Sequence, residues 1–405
     1  MGKVARIDTD ILTRANLIIA QGALTNSKRP TTFIEDVYPT HLKSGIGCHV
    51  EDTLGNTYID FLCGLGSNLI GYGDHEIALE IYRAAIRGLS LSLGSELEVR
   101  YAESLQTFFP WIEQFKFLKT GTEACAAAVR IARAHTGREQ VLSSHYHGWS
   151  DDFVSLTPPA LGVPKRTCIE ELKGLEQITD KTAAVIVEPV VTDFSETRKN
   201  ELRALRDKCK GVGALLIFDE VITGLRFLDH SVSRHFGIEP DLICLGKALG
   251  GGLPLSAVGG KRSIMSGTEY FVSSTFAGER ASLAAGLKVL DLLRGKKKIS
   301  ELWDRGKRFQ ERFNELSPDV QLVGYPTRGV FQGDEMTKAL FWQESVKAGI
   351  FWGPSWFLSF PHMDVFDSVI SASRDILTRI KTGEVKLEGK MPKKPFAQTL
   401  REQQK

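Results

Sequence analysis

Three apolar runs in the middle of the chain each break on a polar or charged residue. Ala183–Val187 (AAVIV) ends at Glu188-Pro189, Ala214–Phe218 (ALLIF) at Asp219-Glu220, and Leu242–Leu245 at Gly246-Lys247. The runs are continuous rather than alternating, and helical stretches separate them. Strands of that kind are buried on both faces, which requires a mostly parallel central sheet covered by helices, an α/β fold. A fourth short run, Phe115–Lys119, leads into a Gly-Thr turn. A helix is expected from Glu123 to His135, with Ala124, Ala128, Ile131 and Ala132 on one face and Gly137 as its stop.

The ends of the chain read differently. Gly45–Phe61 has the turns and alternation of a hairpin, Leu283–Leu293 and Glu301–Leu316 read as helices, and Gly349–Ser359 as short strands. We expect a large domain over residues 56–288 and a smaller α+β domain built from residues 1–55 and 289–405. The tail from Lys390 is polar and is expected to fray. A length of 405 residues has room for both, and no repeat or low-complexity linker interrupts them.

Composition narrows the class of partner. Lys+Arg 51 against Asp+Glu 49 leaves +2, which gives no electrostatic case for nucleic acid or an anionic membrane. No apolar run approaches the ~20 residues of a membrane helix, and the charged start lacks a signal-peptide core. A cytoplasmic protein acting on small molecules is expected. Cys48, Cys63, Cys125, Cys168, Cys209 and Cys244 are scattered without a C-x-x-C, which fits buried thiols in a reducing compartment. Lys296-Lys297-Lys298 reads as a solvated helix end.

The chemistry gathers just past the strand ends, the edge where open α/β sheets bind ligands. Thr120-Gly121-Thr122 offers hydroxyls and the first N–H groups of a helix to a phosphate; a plain helix cap is the simpler reading of the same turn. Asp219 at a strand rim needs a partner, either a heterocyclic N–H⁺ or an ordinary cap or ion pair. Lys247 follows an apolar run and precedes Gly250-Gly251-Gly252, a setting for an amine nucleophile toward an aldehyde rather than for a snorkelling side chain. Tyr146, within His145-Tyr146-His147-Gly148, suits stacking on a flat ring. The His-x-His pair lacks a third ligand, so no metal is expected. There is no G-x-x-x-x-G-K-[ST], and Gly64-Leu65-Gly66 lacks the third glycine of a dinucleotide fingerprint.

In order and spacing, KTGTEACAAAVRIARAHTGR, HYHGW, VEPV, LLIFDEVITGLR and HFGIEPDLICLGKALGGGLPLSAVGG resemble the class III aminotransferase family, and most closely its branch of glutamate-1-semialdehyde 2,1-aminomutases. The resemblance implies a fold-type I transferase, pyridoxal 5'-phosphate as cofactor, and catalytic roles for Lys247 and Asp219. Lys247 matches the Schiff-base lysine and Asp219 the partner of the pyridine nitrogen. Val221 and Tyr146 match the residues on the two faces of the ring, with His147 completing the Tyr146 turn. Thr120, Gly121 and Thr122 match the phosphate turn. Thr275 matches a threonine that reaches the phosphate from a neighbouring subunit, which implies a homodimer with shared active sites.

Two departures stand out: Lys119-Thr120 where the family often has Asn-Ser, and Ala277-Gly278-Glu279-Arg280 where it often has SGNP. Glu279 is thereby expected near a polar, sugar-like substrate, and Glu188 and Asp193 are further candidates to face it. The carboxylate-binding arginine of many ω-aminotransferases has no clear counterpart near the C-terminus, and the aminomutase substrate segment is not clearly matched, Asn26-Ser27-Lys28-Arg29-Pro30 being the nearest stretch. The favoured reading is therefore transfer of an amino group between an amino donor and a carbonyl acceptor. An intramolecular aminomutase is the alternative. A non-catalytic binding subunit, which would be colourless where the enzyme is yellow, is the remote one.

Overall fold

The computed structural model describes residues 8–144, 146–154 and 169–393. His145 and Cys168, and the part of the polar tail from 394 on, lie outside the described residues. The chain forms two compact units, residues 75–300 and residues 1–74 with 301–405.

Within the unit 75–300, seven strands form one sheet: β1 Gln114–Leu118, β2 Gln140–Ser144, β3 Glu170–Glu171, β4 Thr182–Val187, β5 Leu215–Glu220, β6 Leu242–Leu245 and β7 Ser256–Gly260. Their order across the sheet is β1-β7-β6-β5-β4-β2-β3. Neighbours from β6 to β3 pair in parallel, and β7 pairs antiparallel with both β6 and β1. Every residue of β4, β5 and β6 is buried, which is why these strands read as unbroken apolar runs. The helix Gly121–Thr136 covers the sheet with Ala124, Ala128, Ile131 and Ala132, all fully buried, and ends at Gly137 in the left-handed conformation (φ 67°).

The other unit carries a four-stranded sheet of Leu42–Ile46, His49–Asp52, Thr57–Asp60 and Ile350–Phe351, and a three-stranded sheet of Val320–Tyr325, Arg328–Gly333 and Ser355–Phe357. The expected hairpin is the antiparallel pairing of His49–Asp52 with Thr57–Asp60. The divisions at 74/75 and 300/301 correct the expected 55/56 and 288/289. Thr57–Asp60 pairs with its own hairpin and with Ile350–Phe351, which holds residues 56–74 in the terminal unit. The helix Arg280–Arg294 runs past 288 and buries Val289, Leu290, Leu292 and Leu293 with the 75–300 core. The tail also differs from expectation at its start. Lys390 is tied to Glu35 by a backbone bond of 3.0 Å and an ion pair of 2.9 Å. Cys48, Cys63, Cys125, Cys209 and Cys244 are buried thiols. No helix among the described residues is long and apolar enough to cross a membrane.

Candidate active site

One edge of the seven-stranded sheet collects the candidate residues, all from the unit 75–300. β1 delivers Thr120 and the helix that follows it. β2 delivers Tyr146 and His147, β5 delivers Asp219, and β6 delivers Gly246 and Lys247. Because β7 runs antiparallel, its first residue, Ser256, lies at this same edge, and its hydroxyl donates to the Thr120 carbonyl at 2.7 Å.

The turn is built as a capping box. The Thr120 hydroxyl accepts from Glu123 N at 3.2 Å, and the Glu123 carboxylate accepts from the backbone N–H of Thr120 at 2.8 Å and of Lys119 at 3.1 Å. The N–H groups of Gly121 and Thr122 find no acceptor among the described residues. Two such donors at the positive end of a 16-residue helix can hold an anion. Gly121 is required for it: a Cβ there would lie 2.9 Å from Val221 Cγ1. A Cβ at Gly246 would likewise lie 3.2 Å from Val221 Cγ1, so Val221 packs against two glycines.

Asp219 is 8% exposed. Its Oδ2 lies 2.7 Å from His147 Nδ1, and its Oδ1 accepts from Val221 N at 3.0 Å. His147 Nε2 lies 2.8 Å from the Ser144 carbonyl, which fixes the ring between two acceptors. Burial alone would raise the Asp219 carboxyl. The hydrogen bond and charge of His147, the Val221 N–H and the Lys247 ammonium outweigh burial and hold it below the usual carboxylate range. Lys247 opens a short 3₁₀ turn at φ 46°, a left-handed conformation that few residues other than glycine adopt, and Gly251 (φ 58°) and Gly252 (φ 101°) complete the bend. Strain of this kind at a functional side chain is held in place by its surroundings. Tyr146 is 44% exposed. Burial, with the Cys125 and Asp219 charges beside it, raises its hydroxyl pKa.

The structure thus brings together Thr120, Gly121, Thr122, Tyr146, His147, Asp219, Val221 and Lys247 at one sheet edge. Thr275 is set apart from them: it is exposed, in the loop before the helix Arg280–Arg294. Glu279 corrects its expectation. It caps that helix, accepting from Ala281 N, Ser282 N and Ser282 Oγ, and its Oε2 sits 3.1 Å from Lys119 Nζ. Its carboxylate is thus engaged by the helix start and by Lys119.

The sequence reading missed two thiols. Cys244 faces Asp219 in register on the neighbouring strand, and Cys125 lies one helical turn after Gly121. The hydrogen bond that Cys125 donates to Cys244, then burial and the Asp219 charge, push the Cys125 thiol well above its ordinary range. Counting residues from the polar ends of the strands would have found both. Donor atoms of Cys125, His147 and Asp219 lie within 4.8 Å of one another, a set that suits a soft metal only if the direct His147–Asp219 bond opens.

The arrangement fits a flat, phosphorylated, cationic heterocycle with an aldehyde. It offers an anion turn at one end, a buried carboxylate at the other, an aliphatic wedge below, an aromatic beside it and a primary amine. Comparisons with known proteins agree. The family described as Aminotransferase class-III matches residues 34–163 and 162–354. The chain is 31% identical, over 85% of its length and 91% of the relative's, to a glutamate-1-semialdehyde 2,1-aminomutase of Syntrophobacter fumaroxidans. It shares its fold with the PLP form of the FumI protein of Sphingopyxis sp. MTA144 (TM-score 0.86, 24% identity, 95% and 98% of the two chains). A β-phenylalanine aminotransferase of Variovorax paradoxus is similar at TM-score 0.80 and 25% identity, over 92% and 93%.

Proposed function

The chain belongs to the class-III aminotransferase family and uses pyridoxal 5'-phosphate, and from that premise we propose that it moves an amino group from a small-molecule amino donor to a carbonyl acceptor. When bound, the cofactor supplies an aldehyde that bonds reversibly to amines and a ring that takes up the electron pair left by a departing proton. Lys247 is the residue whose amine would hold that aldehyde and, once free of it, would carry the proton to and from the substrate carbon. Asp219, kept ionised by His147, holds the proton on the ring nitrogen. Val221 and Tyr146 bear on the ring, and the Gly121 and Thr122 N–H groups, with the Thr120 turn, hold the phosphate while the covalent link is open.

The carrying observation is the Asp219 carboxylate, buried yet held below its usual pKa range partly by the charge of Lys247, a lysine whose backbone is strained to φ 46°. Transfer is favoured over the aminomutase because the N-terminal substrate segment of this chain departs from the aminomutase pattern. The curated relatives, named as aminomutases, keep the second reading in view. Thr275 is exposed on its own chain, as expected of a residue that serves the site of a second copy. The shared-site homodimer is part of this proposal.

Two measurements test it. Borohydride should bleach the visible absorbance of the cofactor-loaded protein and leave the cofactor's mass on the peptide containing Lys247. Trapping at another lysine, or none, overturns the assignment. In a donor and acceptor panel, turnover should require a second carbonyl compound. Glutamate 1-semialdehyde converted without one would replace transfer by the mutase.

A further inference from the structure

Lys119 and Glu279 stand apart from the family pattern separately in sequence, and in the fold they are partners. Their side chains are 13% and 17% exposed and meet at 3.1 Å across 160 residues of chain. Each is also fixed at its other end. The Lys119 backbone N–H shares the Glu123 carboxylate with Thr120, so Lys119 is tied to the first turn of the helix Gly121–Thr136. The Glu279 carboxylate caps the helix Arg280–Arg294 through Ala281 and Ser282. The residue before it, Gly278, packs so closely that a Cβ there would lie 2.6 Å from Glu98 Oε1, itself the capping acceptor for Ser95 N. One ion pair therefore ties two helix N-termini together, next to the turn proposed to offer Gly121 and Thr122 N–H to the phosphate.

We propose that Lys119 and Glu279 are positioning residues for the phosphate end of the cofactor: their ion pair locks the Thr120–Thr122 turn to the start of the helix Arg280–Arg294 without either side chain touching the phosphate. The inference rests on the cofactor assignment above. A mostly buried pair suits the task because either partner alone would be an uncompensated charge, so the arrangement has one low-energy geometry. Glu279 also cancels an ammonium that would otherwise turn toward the phosphate. The turn then binds through its two N–H groups and the helix dipole.

The test is a cycle of Lys119→Met, Glu279→Gln and the double variant, with equilibrium binding of pyridoxal phosphate and of pyridoxal, which lacks the phosphate. Each single variant should weaken pyridoxal phosphate about tenfold, the effect of losing one charge-assisted hydrogen bond. The double variant should be no weaker than the singles, because both remove the same interaction. Pyridoxal binding should stay within about twofold of the parent, and Lys119→Arg, which keeps the pair, should rescue. Equal losses for both ligands would mean general damage and overturn the proposal. So would additive losses, a Lys119→Arg protein as weak as Lys119→Met, or tighter pyridoxal phosphate binding by Glu279→Gln, which would make Lys119 a direct phosphate ligand. A parent protein that takes neither ligand would instead overturn the cofactor reading itself.

Discussion

Asp219 keeps its charge in a buried setting only through its neighbours. Burial pushes its carboxyl up, and His147 is the first of the groups that bring it down. With the folded pKa below the ordinary 3.8, its contribution to stability is complete above about pH 4 and is lost as pH falls through the folded value. His147→Leu removes the opposing hydrogen bond and leaves burial in charge. The folded pKa then rises above the unfolded one and the sign reverses: stability falls as pH rises from about 4 through the new value. Removing one partner of a buried pair costs about 3 kcal/mol. Urea unfolding of the cofactor-free variant between pH 4 and 8 should show both the loss and the reversed slope. A variant as stable as the parent with an unchanged slope would mean that His147 does not support the carboxylate.

Successive residues of β5 point to opposite faces, so the element that aims Asp219 at the site turns Glu220 away from it. Glu220, fully buried, accepts from Val232 N, Ser233 N and Thr223 Oγ1, and so anchors the chain after β5. The turn before Val232 carries His230. Its Nδ1 is buried without a hydrogen-bond partner among the described residues, and its ring lies edge-on to Phe108 at 4.7 Å. Burial, helped by Arg234 and opposed by Asp229, holds its pKa down to about 4 from 6.5. The unfolded chain therefore binds the extra proton between those values, and stability should rise from pH 4 to 6.5 by at most roughly 3 kcal/mol, reduced by solvent screening. His230→Asn, a residue that tolerates the left-handed φ of 67° at this position, should flatten that slope in thermal melts. An identical slope would place its origin elsewhere.

Elements of this kind were legible in the sequence to different degrees. β4, β5 and β6 are buried throughout, so their composition announces them, and the polar residue at each strand end marks the site edge. The Lys119–Glu279 bond and the placing of Cys244 beside Asp219 were not legible, because both depend on which strands and helices become neighbours. The antiparallel course of β7, which brings Ser256 under Thr120, depends on the same thing. The unit boundary was misplaced for a related reason: Thr57–Asp60 has a parallel partner almost 300 residues away at Ile350–Phe351.

At the scale of the whole molecule, the unit 75–300 leaves large apolar side chains in solvent around one junction. Arg280 bonds the carbonyls of Arg87, Gly88 and Leu89 there, which brings the start of the helix Arg280–Arg294 against the segment after the helix His75–Ala85. Ile86, Leu91, Leu93 and Val99 lie along that segment and Phe276 in the adjoining loop; they are 64%, 53%, 85%, 61% and 58% exposed. An apolar cluster of this kind marks an interaction surface rather than a solvated one. The same loop carries Thr275, the residue assigned to the site of a second copy. In the proposed homodimer this one surface would serve both assembly and cofactor retention, and the two should then fail together. Ile86→Glu/Leu93→Glu places charges in the centre of the proposed contact, where desolvating an unpaired carboxylate is costly. The expected result is a dimer-to-monomer shift in sedimentation, with cofactor loss on dilution that Thr275→Ala reproduces without dissociating the protein. A charged double variant that stays dimeric and retains its cofactor would remove this face from the interface, and Thr275→Ala with undiminished retention would confine each site to a single chain.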